Sequence, residues 1–227
     1  MISPYQAIKK EIELSARRCG RNPDEITLVA VTKQVTWQTA SKLYDQRQRD
    51  FAENRVPEAL AKQAEAPQDC RWHFIGPLQT NKLRKFAGKF AFIHSVHDED
   101  LAEKLARVGR DMGISIPILL QANTSGETTK QGLNAESWKA CFEKVMSLEG
   151  LSVKGLMTMA PLTNDEDAIR KCFRGLRILR DELRIISGNQ ADLLHLSMGM
   201  SHDFKIAIEE GATLLRIGTA LFEAVKK

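Results

Sequence analysis

An α/β fold of the (β/α)8, TIM-type kind, a single barrel with one additional N-terminal helix, is what this sequence predicts. Three observations predict it. Eight short apolar runs alternate with helical patterns along 227 residues, and parallel neighbours need such crossovers. The runs are near-continuous in apolar character, as expected of strands covered on both faces. The length and the 43% hydrophobic content suit one sizeable core, and no stretch reads as a linker, an internal repeat or a low-complexity segment. Residues 1–227 are therefore expected to form one domain. A doubly wound open sheet is the structural alternative.

The elements follow in order. Ser3 can cap the extra helix with Pro4 at its first position, and Gly20 can end it. Ile8, Ile12 and Ala16 give that helix one apolar stripe. Strands are expected at 26–32, 50–53, 71–75, 90–95, 117–122, 153–159, 192–197 and 213–217. The helix after Asp98 carries Leu101, Leu105 and Val108 on one face and meets Gly113 as a stop. Trp138, Cys141, Phe142 and Val145 stripe the next helix, and Ile169, Phe173, Leu176, Leu179 and Leu183 the long one before Gly188.

Composition excludes several classes. The formal charge of +4 is spread along the chain. Its densest basic stretch, 82–89, has four cations with little aromatic interleaving and reads as a solvated helix face, so no nucleic-acid partner is expected. No apolar run approaches membrane-spanning length, and residues 1–5 lack the pattern of a secretory leader. Cys19, Cys70, Cys141 and Cys172 lie far apart and read as reduced thiols of a cytoplasmic protein. P-loop, HExxH and GxSxG motifs are absent, the loop 126–132 has the wrong spacing for a phosphate loop, and His94 and His97 lack partners at metal spacing.

Chemistry in such a barrel lies at the C-terminal ends of the strands. Those ends carry Lys33, then Asn54, Gly76 and Ser95, and later Thr158, Ser197 to Ser201, and Gly218 with Thr219. The last two loops each run from a strand through small residues into a helix. Two adjacent helix N-termini make a phosphate site of backbone N–H groups and dipole. Barrel closure sets Lys33, on strand one, beside strand eight. An amine near an anchored phosphate suits a phosphorylated aldehyde, of which pyridoxal 5′-phosphate is the common one. Desolvation would free the lysine's lone pair. Arg216 lies on the same side of its strand as Gly218 and can face a pyridine nitrogen, which a guanidinium keeps unprotonated. Taken singly, each residue has an ordinary reading. Lys33 can be a solvated cation, Ser201 a helix cap, Gly218 a packing glycine, Arg216 a structural ion pair, and His73 and His195 core histidines.

The strings LVAVTK (28–33), FAENRV (51–56), WHFIGPLQTNK (72–82), NTSGE (123–127), GLMTM (155–159), LHLSMGMSHDF (194–204) and LRIGTALF (215–222) cover nearly the whole chain in order. Together they resemble the pyridoxal-phosphate homeostasis proteins. The resemblance implies a barrel like the alanine racemase N-terminal domain. It also implies that Lys33 is the Schiff-base lysine holding the cofactor as an aldimine. Ser201, Gly218 and Thr219 fall on the phosphate contacts, Arg216 on the arginine facing the pyridine nitrogen, and Asn54 on a residue near the ring. Ser197 is a further pocket candidate. The chain departs from many members after Lys33, where it reads Gln34, Val35, Thr36 instead of carrying a second lysine and a proline, and at Pro57, where many have Gln.

Two functional classes fit. One is a cytoplasmic carrier or buffer of pyridoxal phosphate, without efficient catalysis, that passes the cofactor to apo-enzymes. The other is a PLP-dependent racemase or decarboxylase. The racemases draw a second base, a tyrosine, from an added β-domain. Here the sequence runs to Lys227 after the eighth barrel helix, and Tyr5 and Tyr44 fall on helices. The carrier is therefore expected, as a monomer, since the β-domain supplies the racemase dimer interface. No residue is assigned a catalytic role. An aldolase-like barrel without cofactor fits neither Arg216 nor the strings.

Overall fold

The computed structural model describes residues 2–222; position 1 and positions 223–227 of the expected domain lie outside the described residues. Eight parallel strands close into a barrel in sequence order, β1 pairing with both β2 and β8. They are β1 (Thr27–Val31), β2 (Asp50–Glu53), β3 (Arg71–Phe74), β4 (Phe92–Val96), β5 (Ile116–Gln121), β6 (Leu151–Met157), β7 (His195–Ser197) and β8 (Leu214–Ile217). The helices are α1 (Pro4–Arg18), α2 (Trp37–Tyr44), α3 (Val56–Glu65), α4 (Leu83–Phe86), α5 (Glu99–Met112), α6 (Ala135–Met146), α7 (Glu166–Ile186), α8 (Phe204–Glu209) and α9 (Thr219–Phe222).

Local chemistry starts and stops these elements where the sequence marks them. Ser3 and Gln6 form a reciprocal capping box at α1, with Pro4 in the first turn. Asp98 accepts from the Leu101 N–H at the start of α5, and Gly113 ends that helix in the left-handed region at φ 65°. The five apolar residues of the α7 stripe are all buried, which sets the helix against the sheet. Helix α1 lies outside the βα repeat and packs on the last units, where Arg21 donates to the carbonyls of Ile208 and Ala212, each at 2.8 Å.

Two cores result from the pleat. Outward-facing strand residues meet the helices in the larger one, which contains Phe51, Trp72, Phe74 and Ile93. Inward-facing residues fill the barrel with a smaller apolar set, Val29, Val31, Ala52, Leu119, Met157 and Leu214. Ile75 and Phe92 pack against this set, and much of the remaining interior is polar. Asp50, His73, His94, Ser197 and Arg216 are all buried, and each occupies an inward position of its strand.

Candidate functional site

The C-terminal mouth of the barrel holds a cavity of about 310 Å³, within the range of small-molecule sites. Lys33, Asn54, Ser201, Arg216, Gly218 and Thr219 all line it. Val31, Ile75, Met157, Met159 and Phe222 supply apolar wall. Ser197 does not line it. That residue is fully buried one layer deeper, with its hydroxyl on Arg216 Nη1 at 2.6 Å and on His94 Nδ1 at 2.8 Å.

Lys33 sits in a turn two residues past the end of β1 and is exposed. The expected desolvation is thus absent from its surroundings, because the strand ends before the lysine is reached. What is buried is the platform beneath it. Thr32 is fully buried, its hydroxyl 2.8 Å from Glu53 Oε1. Lys62, from α3, donates to the Thr32 carbonyl at 2.7 Å and pairs with Glu53. The other Glu53 oxygen accepts from the Asn54 N–H at 3.2 Å. One buried ion pair therefore ties the end of β1 to the end of β2 and brings Lys33 and Asn54 to one wall. Gly76 completes that wall, since a Cβ there would lie 1.9 Å from the Asn54 carbonyl oxygen. The Glu53–Lys62 pair escapes sequence inspection, because a strand residue and a helix residue nine positions apart follow no helical or strand period.

The adjoining wall is built from the loops after β7 and β8, the latter strand being the neighbour of β1. Gly199 has φ +93°, and a Cβ there would meet the Ala207 side chain at 2.6 Å, so this sharp turn needs glycine. Asp203, not Ser201, is the N-cap position of α8, and its carboxylate accepts from the Met200 N–H at 2.5 Å. Ser201 reaches across instead and accepts from the Ala220 N–H of α9 at 3.3 Å. The serine proton remains for a ligand. Helix α8 has six residues, and α9 is described over four. Backbone donors therefore count for more here than a long helix dipole.

Arg216 forms the floor. Its Nη2 donates to the Thr158 carbonyl at 2.9 Å while Nη1 holds Ser197, so the fork is fixed at two points. Burial pushes its pKa down to about 10, and the nearby Asp203 carboxylate opposes that shift, which leaves it charged at neutral pH. Burial likewise raises Asp203. Met200 and His202, which also line the cavity, belong to the 194–204 string and were within reach of sequence reading. Among the described residues no group of three or more His, Cys, Asp or Glu is placed to hold a metal ion. An exposed amine, a fixed guanidinium and a cluster of hydroxyl and backbone donors around one cavity suit an anionic carbonyl compound.

Residues 5–225 match the family model described as alanine racemase, N-terminal domain. A pyridoxal phosphate homeostasis protein of Aquifex aeolicus (strain VF5) is 40% identical over 95% of this chain and 94% of its own length. The chain belongs to this family. PipY of Synechococcus elongatus PCC7942, a solved structure with PLP bound, is 36% identical, with a TM-score of 0.81 over 95% of this chain and 99% of PipY. Alanine racemase of Clostridium difficile 630 is 14% identical, with a TM-score of 0.73 over 94% of this chain and 56% of the racemase. That likeness establishes the shared barrel fold. No described helix of this homeostasis-family chain is long and apolar enough to cross a membrane.

Proposed function

We propose that this protein binds pyridoxal 5′-phosphate at the C-terminal mouth of its barrel and serves intracellular PLP homeostasis as a carrier or buffer, without efficient turnover of amino acids. The observation that carries the reading is that Lys33 and Arg216, from the neighbouring strands β1 and β8, line one cavity together with Ser201, Gly218 and Thr219. The donor set fits three of the cofactor's polar features: an amine for the aldehyde, a guanidinium for the ring nitrogen, and hydroxyl and backbone donors for the phosphate. Bound pyridoxal phosphate supplies an aldehyde that condenses with an amine as a Schiff base, releasing water. Lys33 is the amine that would hold it, with Asn54 at the edge of the ring. Arg216 is a donor only, so it accepts a bond from no protonated pyridine, and the ring keeps little power as an electron sink. PipY, 36% identical, supports the choice of cofactor.

Tyrosine chemistry supports the carrier over the racemase or decarboxylase. Tyr5 is buried on α1 with its hydroxyl 3.3 Å from Gln48, and Tyr44 on α2 donates to Asp69 at 2.8 Å. Neither lines the cavity. We further propose that residues 1–227 act as one domain, as a monomer, in the cytoplasm. Four free cysteines and the family match over 5–225 are in keeping with this. The partners are the cofactor and apo-enzymes that receive it, with no role for nucleic acid or a membrane. The test follows α-proton exchange with solvent deuterium across L- and D-amino acids on the loaded protein, beside transfer of the cofactor to an apo-enzyme. Transfer without exchange is expected; enzyme-like exchange with any one amino acid makes the protein a racemase or related enzyme instead.

A further inference from the structure

A line of polar side chains runs through the barrel from its base to the cavity floor. Asp50 Oδ1 lies 3.1 Å from His73 Nε2, and His73 Nδ1 lies 3.0 Å from His94 Nε2. His94 Nδ1 lies 2.8 Å from Ser197 Oγ, which holds Arg216 Nη1 at 2.6 Å. At the base, Arg71 grips Asp50 through Nε at 2.8 Å and Nη2 at 2.5 Å. The links come from β2, β3, β4, β7 and β8 in turn. His73 and His94 are 1% and 0% exposed. A line of this kind, filling the space that other barrels give to aliphatic side chains, calls for a reason.

Its direction follows from donors and acceptors. A guanidinium only donates, so Ser197 Oγ accepts from Arg216. The Ser197 hydroxyl proton then needs an acceptor, and the neighbouring His94 Nδ1 provides one. Burial, with the Arg216 charge adding to it, holds the His94 pKa well below 6.5. Its ring is therefore neutral, and with Nδ1 accepting, the proton sits on Nε2. That N–H donates to His73 Nδ1, and the His73 Nε2–H donates to the Asp50 carboxylate. The reverse wiring leaves the Ser197 proton without its acceptor and turns a bare His73 nitrogen toward a carboxylate, an arrangement that burial penalises.

We propose that Ser197 and His94 are positioning residues, the near end of a one-directional hydrogen-bond chain, Arg216 to Ser197 to His94 to His73 to Asp50, that fixes the guanidinium for a ligand's ring nitrogen. The proposal rests on the pyridoxal phosphate reading of the cavity. It explains why Ser197 lies beneath the wall and not on it: the residue acts through Arg216.

The test has two arms. In the first, long-range proton–nitrogen NMR of the cofactor-free protein at neutral pH reads the histidine tautomers. Protonated Nε2 with bare Nδ1 is expected for both His94 and His73. An Nδ1–H form of His94, or a doubly protonated His73, overturns the chain. In the second, Ser197→Ala is titrated with pyridoxal phosphate and with inorganic phosphate. Affinity for the cofactor is expected to fall roughly tenfold, the scale of a lost bond to a charged group, with phosphate affinity unchanged. Equal losses for both probes, or no loss for either, overturn the positioning role. If Ser197→Ala does not fold, the wild-type tautomers still decide the wiring. Wild-type protein that takes up no pyridoxal phosphate ends the cavity reading and this proposal with it. Uptake with reversed tautomers ends only the proposal.

Discussion

The two cations that face the cavity are held in opposite ways. Lys33 stands exposed on a turn, and its rigidity is borrowed from the Glu53–Lys62–Thr32 platform under it. Arg216 is 5% exposed and tied by both ends of its fork. A lysine that must take up and release a carbonyl compound needs an accessible nitrogen. A guanidinium that only orients a ring needs a fixed direction, and Arg216 stays charged at neutral pH although burial lowers its pKa to about 10. On the proposed reading, the difference gives one wall to exchange and the floor to permanence.

Breaking the exchange side has the largest expected effect on the cofactor and the smallest on the fold. Lys33→Ala should abolish the visible band of the loaded protein entirely. Urea unfolding should stay within about 0.5 kcal/mol of wild type, as for exposed positions free of special geometry. Breaking the permanent side should do both kinds of damage. Arg216→Lys keeps a charge but loses the planar fork, so that either the Thr158 carbonyl goes unpartnered inside the barrel or Ser197 keeps only its bond to His94. Cofactor affinity should fall by roughly a hundredfold, and stability by about 1–3 kcal/mol for the unmet partner; equilibrium titration and urea melts read the two. Ser201→Ala, between the two sides, should weaken pyridoxal phosphate by roughly tenfold and leave unphosphorylated pyridoxal unchanged. Equal losses for both compounds would remove Ser201 from the phosphate end.

The pH response sharpens the comparison on the permanent side. Burial, then the Arg216 charge, hold His94 well below 6.5 in the folded chain. The unfolded chain takes up that proton as pH falls through about 6.5, and the folded chain does not. Stability present above that pH should decline below it, by about 1.4 kcal/mol per pH unit at most for this one proton. Asp50 acts in a lower window. Its burial works to raise the pKa, but hydrogen bonds from His73 and Arg71 prevail and hold it below 3.8. Its contribution is lost only as pH falls through that depressed value. Urea midpoints from pH 7 to 5 should therefore fall for wild type and stay flatter for His94→Gln.

Apolar runs reported burial more faithfully than ladder pairing. The run 50–53 coincides with β2. The run starting at 90 begins two residues before β4, because Phe90 is buried against Phe74, with ring centroids 5.3 Å apart, ahead of the paired residues. Likewise 192–197 shrinks to β7 at His195–Ser197, since Leu193 is core without being strand. The cavity residues were legible because strand ends in a closed parallel barrel converge by topology alone. The interior chain was not. His73 reads as an ordinary core histidine, and the contact of His94 with Ser197 spans strands that are not neighbours in the sheet. No local period encodes a contact made across the barrel lumen.

The measurement that bears most directly on the function is the absorption spectrum of the purified protein, loaded with pyridoxal phosphate and then reduced with borohydride, followed by peptide mapping. A yellow protein whose colour is fixed by reduction, with a single label on Lys33, is the result expected. A label on Lys82 or Lys130, or no covalent label at all, would contradict the assignment of Lys33 as the residue that holds the cofactor.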